Sequence, residues 1–177
     1  YRVVHGIDPF DPKFNIVSPG VDPEVYFPPG EEHRRLRHLL PGIREQVFGE
    51  ARDGASRGEL AEPDRPLLFT MARLDKGKNL SGLVEWYGQS DALRERANLL
   101  VAGGYLDTER SDDDDEKREI EKMHRVMDQH GLDREVRGRE GQVDRERNGA
   151  LYRCVADCRG AFVQPAVVEA FGLTGIE

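Results

Sequence analysis

The run Pro66-Leu67-Leu68-Phe69-Thr70-Met71-Ala72-Arg73-Leu74-Asp75-Lys76-Gly77-Lys78-Asn79 decides the fold. Its first six residues are mostly apolar, the pattern of a strand buried on both faces. Asn79 is placed to cap a helix in which Leu80, Leu83, Val84 and Tyr87 recur at helical spacing, with Gly88 as its stop. The alternation repeats downstream. A short helix is predicted from Ser90 to Arg96, then a buried strand from Asn98 to Ala102 ending in Gly103-Gly104. Asp114 to His130 reads as an amphipathic helix with Ile120, Met123, Val126 and Met127 inward and Gly131 closing it. A short strand at 135–137, a helix from Asp144 to Cys158 and a buried strand from Ala161 to Gln164 follow, and Gly172 opens a last helix. This order predicts an α/β fold, a Rossmann-like parallel sheet with helices on both faces. Such sheets bind ligands beyond the carboxyl ends of their strands. The loops after Met71, Ala102 and Gln164 are therefore expected to hold the function.

Upstream the pattern is less regular. Phe14 to Val17 reads as a short strand ended by Ser18-Pro19-Gly20. Glu31 to Phe48 reads as two short helices separated at Pro41-Gly42, since a proline inside one helix would break it. Residues 49 to 66 have almost no apolar content and read as an exposed loop. The chain divides into a lead-in of 1–65 and a Rossmann-like domain of 66–177. Its 177 residues suffice for one domain with a proper core. The opening at Tyr1 without Met, and the end at Glu177 with a helix pattern still running, lead us to expect a fragment.

Composition excludes several roles. Hydrophobic residues make up 37% and charged residues 34%, polar for a compact domain but short of a disordered composition. A formal charge of −8 argues against nucleic acid or an anionic membrane surface as the main partner. No apolar run approaches the roughly 20 residues that span a bilayer, and no signal pattern opens the chain, so a cytoplasmic protein is expected. Cys154 and Cys158 read as two reduced, partly buried thiols on one helical face.

Two loops carry the chemistry. Arg73 and Lys78 are long cations at a strand end, near free backbone N–H groups, which makes a phosphate clamp against the alternative of a solvated basic loop. The last loop runs Gln164-Pro165-Ala166-Val167-Val168-Glu169-Ala170-Phe171-Gly172-Leu173-Thr174-Gly175-Ile176-Glu177. Gly172 lets backbone approach a ligand, and a carboxylate such as Glu177 can accept hydrogen bonds from vicinal ribose hydroxyls.

Two glutamates eight residues apart around Phe171-Gly172-Leu173-Thr174 resemble the retaining GT-B glycosyltransferases of the sucrose synthase and glycogen synthase type. Val4-His5-Gly6-Ile7-Asp8, the run Phe10 to Gly20, Phe69 to Asp75 with Lys78-Asn79-Leu80, and Leu83 to Gly88 look like sucrose synthase. So do Arg147-Asn148-Gly149, Leu151-Tyr152-Arg153 and Gly160 to Ala166. Gly77 and Gly175 depart from the family, which often has larger residues there.

The resemblance implies a fragment of the C-terminal nucleotide-binding lobe of a GT-B protein that interconverts sucrose plus NDP with NDP-glucose plus fructose, with retention. It implies UDP or ADP as the nucleotide, no obligatory metal or other cofactor, and a homo-oligomer for the full-length protein. By matching position, Arg73 and Lys78 would grip the diphosphate, and Glu169 with the Phe171 and Gly172 backbone would face the transferred sugar. Gln142 and Asn148 would lie near the base, Leu173 and Thr174 would offer N–H groups to phosphate, and Glu177 would hold the ribose. The fragment alone is expected to be inactive. Sucrose-phosphate synthase or another retaining GT-B enzyme is the same-fold alternative, and a non-catalytic nucleotide-binding module is the alternative from another class.

Other features read as structural. Asp112 to Asp115 precede a helix and suit its dipole better than a metal. Trp86 and Tyr87 read as helix packing, and His5 as a packed histidine.

Overall fold

The computed structural model describes residues 22–27, 30–51, 54–141, 144–169 and 172–176. The strand expected at Phe14 to Val17 and the packed His5 lie outside the described residues. Among the described residues five strands form one sheet: β1 (Ser56–Arg57), β2 (Leu67–Met71), β3 (Asn98–Gly103), β4 (Val136–Glu140) and β5 (Ala161–Phe162), in the order β1-β4-β3-β2-β5. Four of them run parallel, and β1 pairs antiparallel with β4 through Ser56 opposite Arg139 and Arg57 opposite Gly138. The helices are α1 (Leu40–Phe48), α2 (Leu80–Gly88), α3 (Asp91–Arg94), α4 (Asp114–His130), α5 (Arg145–Asp157) and α6 (Leu173–Ile176).

Strand side chains alternate between two cores, which is why β2 and β3 read as continuous apolar runs. Leu99 and Val101 face Leu83, Val84 and Tyr87 of α2 and Ile120, Met123 and Met127 of α4. Leu67, Phe69, Leu100 and Ala102 face Ile43 and Val47 of α1 and Leu151, Cys154 and Val155 of α5. The expectation of a Rossmann-like α/β layer structure holds, with an antiparallel edge strand added.

The lead-in departs furthest from its sequence reading. Pro41 does not break a helix. It occupies the first turn of α1, where its missing N–H has no intrahelical partner to lose. Two 3₁₀ turns, Glu32–Arg34 and Arg37–Leu39, precede it. The stretch expected as exposed loop supplies β1 and a buried Leu60. Arg57 explains how so polar a pair joins a sheet: Nε donates to Asp133 Oδ1 at 3.0 Å, Nη1 to the His124 carbonyl at 3.1 Å, and Nη2 to Asp128. His124 Nδ1 lies 2.7 Å from the same Nη1, and its Nε2 lies 2.8 Å from the Leu106 carbonyl.

β4 is longer than predicted for a similar reason. Buried Arg137 donates through Nη1 to the Gly58 carbonyl at 2.5 Å, and Arg139 Nη1 donates to Gln46 Oε1 at 2.9 Å. The ends of α4 behave as their residues suggest. The Asp113 carboxylate caps α4 by accepting from the N–H groups of Asp115 and Glu116, so the acidic run is a cap. Tyr87 is buried and donates to the Ala97 carbonyl at 2.7 Å, whereas Trp86 is 55% exposed and does not pack as expected.

Candidate functional site

β2 and β5 are adjacent, so parallel pairing delivers the loops that follow them to the same sheet edge. The loop after β2 is anchored by Leu74, which is buried in the core of the α2 face. Asp75 then folds the turn: its Oδ1 accepts from the Lys78 N–H at 2.9 Å, and its carbonyl accepts from the N–H groups of Lys78 and Asn79. Asn79 takes a left-handed conformation, φ 55°, and does not cap α2 with its side chain. Instead its Nδ2 donates to the Pro165 carbonyl at 3.3 Å. A Cβ on Gly82 would occupy the space of the Asn79 amide, so glycine there is what lets Asn79 turn across to the other loop. The Val167 N–H donates to the Gly77 carbonyl at 2.9 Å, a second tie between the two loops.

These ties bring Lys78 Nζ to 2.6 Å from Glu169 Oε2, with both side chains about one-quarter exposed. Gln164 Nε2 donates to the same oxygen at 3.1 Å. Gln164 was read only as the end of a buried strand, but β5 is an edge strand that stops at Phe162 and Gln164 lies in the loop beyond it; an amide just past the carboxyl end of a parallel strand is the signal that could have marked it. Arg73 stands apart, its side chain 85% exposed and 3.4 Å from Asp75 Oδ2.

Gly172 has a φ of 78°, a left-handed turn that glycine adopts without strain, and α6 follows it. The Thr174 carbonyl accepts from the Tyr152 hydroxyl at 2.8 Å, which moors α6 to α5. Tyr152 in turn stacks on Phe162, ring centroids 5.8 Å apart, and meets Phe69 edge-on at 5.3 Å. Asn148 lies in the first half of α5, its N–H bonded to the Asp144 carbonyl. Lys78, Glu169 and Gln164 thus meet at one sheet edge with Gly172 beside Glu169, while Arg73 contacts Asp75 of its own loop. Gln142, Phe171, Glu177 and the side chain of Leu173 lie outside the described part of the structure.

The crevice combines fixed cation, carboxylate and amide groups at strand ends, which can recognise an anionic group beside a hydroxyl-rich one. Among the described residues no three His, Cys, Asp or Glu side chains gather as a metal would require. The thiols lie away from the crevice. Burial, then the neighbouring Cys158, pushes the Cys154 thiol up to about 12, and burial also raises Cys158. Both are free thiols, with Cys154 buried. No described helix is long and apolar enough to cross a membrane.

A cavity of 230 Å³ lies beside Tyr26, Phe27, Arg35, Tyr152 and Arg153, where the lead-in meets α5. Its arginines serve packing. Arg153 lies 3.5 Å from the centre of the Phe27 ring and donates to the Phe27 carbonyl, while Arg35 pairs with Asp157 at 2.5 Å. Burial, then the nearby Arg35 guanidinium, lowers the Arg153 pKa.

Residues 1–48 match the family model described as the sucrose synthase first GT-B domain. Over its whole length the chain is 53% identical to sucrose synthase of Nitrosomonas europaea, of which it covers 22%. It is 52% identical to sucrose synthase 2 and 54% identical to sucrose synthase 3 of Arabidopsis thaliana, in each case over 100% of the chain and 22% of the relative. The chain therefore spans about a fifth of the length of the relatives it matches.

Proposed function

We propose, for a chain that belongs to the sucrose synthase family, that it supplies the nucleotide-sugar crevice of an enzyme interconverting sucrose plus NDP with NDP-glucose plus fructose. The observation that carries the reading is the meeting of Lys78 and Glu169, 2.6 Å apart at the carboxyl ends of neighbouring parallel strands. A phosphate-seeking cation and a sugar-seeking carboxylate at one strand edge fit a ligand with a diphosphate at one end and a hexose at the other.

In this reading Lys78 and Arg73 hold the diphosphate and stabilise its charge as it leaves the anomeric carbon. Leu173 and Thr174 lend backbone N–H groups to phosphate, and Glu169 with the Phe171 and Gly172 backbone orients the hexose. Glu177 takes the ribose hydroxyls, and Gln142 and Asn148 lie by the base. In the synthetic direction the bond from the anomeric carbon to phosphate breaks and a bond to the fructose hydroxyl oxygen forms on the same face. The hydroxyl proton passes to a phosphate oxygen. Glu169 acts by charge and position in this scheme, without forming a covalent intermediate. UDP and ADP are both candidates for the nucleotide, and no metal is required.

The match of residues 1–48 to a first-domain model supports placing the lobe boundary close to α1, with the sheet forming the nucleotide lobe and the lead-in docked on it. The two free thiols suit a reducing, cytoplasmic setting, and we place the enzyme there as a homo-oligomer. The test is an assay of the full-length protein with sucrose and UDP or ADP, following fructose and NDP-glucose. Lys78→Ala should reduce turnover at least about a hundredfold, as loss of a charge-stabilising group does elsewhere. Full activity in Lys78→Ala, or no sucrose cleavage by the unaltered enzyme, would overturn the reading. The 177-residue chain by itself should release no fructose.

A further inference from the structure

The cation in the crevice already has an anion. Lys78 Nζ donates to Glu169 Oε2 at 2.6 Å, and Gln164 Nε2 donates to that oxygen at 3.1 Å. Gln164 Oε1 is buried and has no hydrogen-bond partner among the described residues. The amide is therefore turned with its donor toward the carboxylate, since the opposite orientation would set oxygen against oxygen. An incoming diphosphate meets two obstacles: an ammonium already engaged, and a carboxylate of its own sign beside it. Arg73, mostly exposed and only 3.4 Å from Asp75 Oδ2, is not occupied in the same way.

Resting on the reading of this crevice as a diphosphate site, we infer that Glu169 is a placeholder for the phosphate. It holds the Lys78 ammonium in the ligand-free chain and gives it up when the diphosphate binds. Gln164 Nε2 remains as a donor to Glu169, so the carboxylate stays in place after Lys78 leaves it. Two consequences follow from exchanging one ion pair for another. The ammonium is kept at the crevice before ligand arrives, and the affinity for diphosphate is lower than a bare cation would give, which eases release.

The experiment is calorimetric titration of inorganic pyrophosphate into the intact chain and into Glu169→Gln, Lys78→Met and the double variant, each checked for an unchanged far-UV spectrum. Glu169→Gln keeps the shape and removes the charge, and it should bind pyrophosphate about two- to tenfold more tightly than the unaltered chain. Lys78→Met should weaken binding, and the double variant should lose the gain. Equal or weaker binding by Glu169→Gln, with Lys78→Met still weakened, would overturn the placeholder and leave the diphosphate site standing. Binding that ignores Lys78→Met would overturn the site and the placeholder together.

Discussion

Lys78 and Glu169 stand 91 positions apart in sequence and 2.6 Å apart in the fold. Both residues were legible in the sequence by type and by place at a strand end. Their mutual contact was not, because it depends on which strands are neighbours, and β5 lies beside β2 although two strands separate them in the chain. Gln164 escaped notice because a single amide carries no spacing signal. Asp75 is the residue that shapes the cation's loop, so Asp75→Ala should cost about 1 kcal/mol of stability, the usual worth of such a turn bond, while Asp75→Asn should cost less. Urea unfolding of both variants checks this. Tyr87 gives a pH signature. Burial, then the Glu135 carboxylate, pushes its hydroxyl up to about 12 from 10.0. With the folded pKa raised, the folded chain keeps a proton that the unfolded chain sheds. The associated stability is complete below pH 10.0 and is lost as pH rises toward 12. Tyr87→Phe should flatten the alkaline fall in melting temperature over that window.

At the scale of elements, the regular alternation from β2 onward was readable because β2 and β3 are buried on both faces and each long helix shows one apolar stripe, whereas β5, read as a buried strand to Gln164, is a two-residue edge strand with Ala161 exposed. α4 came out with the predicted bounds for that reason, helped by the Asp113 cap and Gly131 at its end. The lead-in was misread where tertiary contacts satisfy polar residues that local pattern assigns to loop. Arg57 in β1 is anchored by the Asp133 carboxylate and the His124 carbonyl, both distant in sequence. Arg57→Ala should cost about 1–3 kcal/mol, since it strips several charge-assisted bonds at once, and Arg57→Lys should recover only part of that. Gly58 follows β1 at a φ of 77°, and a Cβ there would run into the Val136 carbonyl. Gly58→Ala should therefore destabilise by more than about 1 kcal/mol and loosen the β1–β4 edge. Hydrogen exchange at the Glu140 N–H, which bonds to the Ala55 carbonyl, reports on that edge.

For the whole molecule, two cores on opposite faces of one sheet hold a crevice at the strand ends, and the lead-in helix α1 completes one of those cores through Ile43 and Val47. The lead-in is thus part of the platform that positions the site, although its sequence resembles the first domain of the family. We propose that Lys78 holds a nucleoside diphosphate at this sheet edge. Calorimetric titration of UDP into the chain and its Lys78→Ala variant tests it most directly. The unaltered chain should bind UDP, and Lys78→Ala should bind at least about tenfold more weakly, a difference of roughly 1.4 kcal/mol. Equal affinity in the two, or no binding by an unaltered chain that is demonstrably folded, would contradict it.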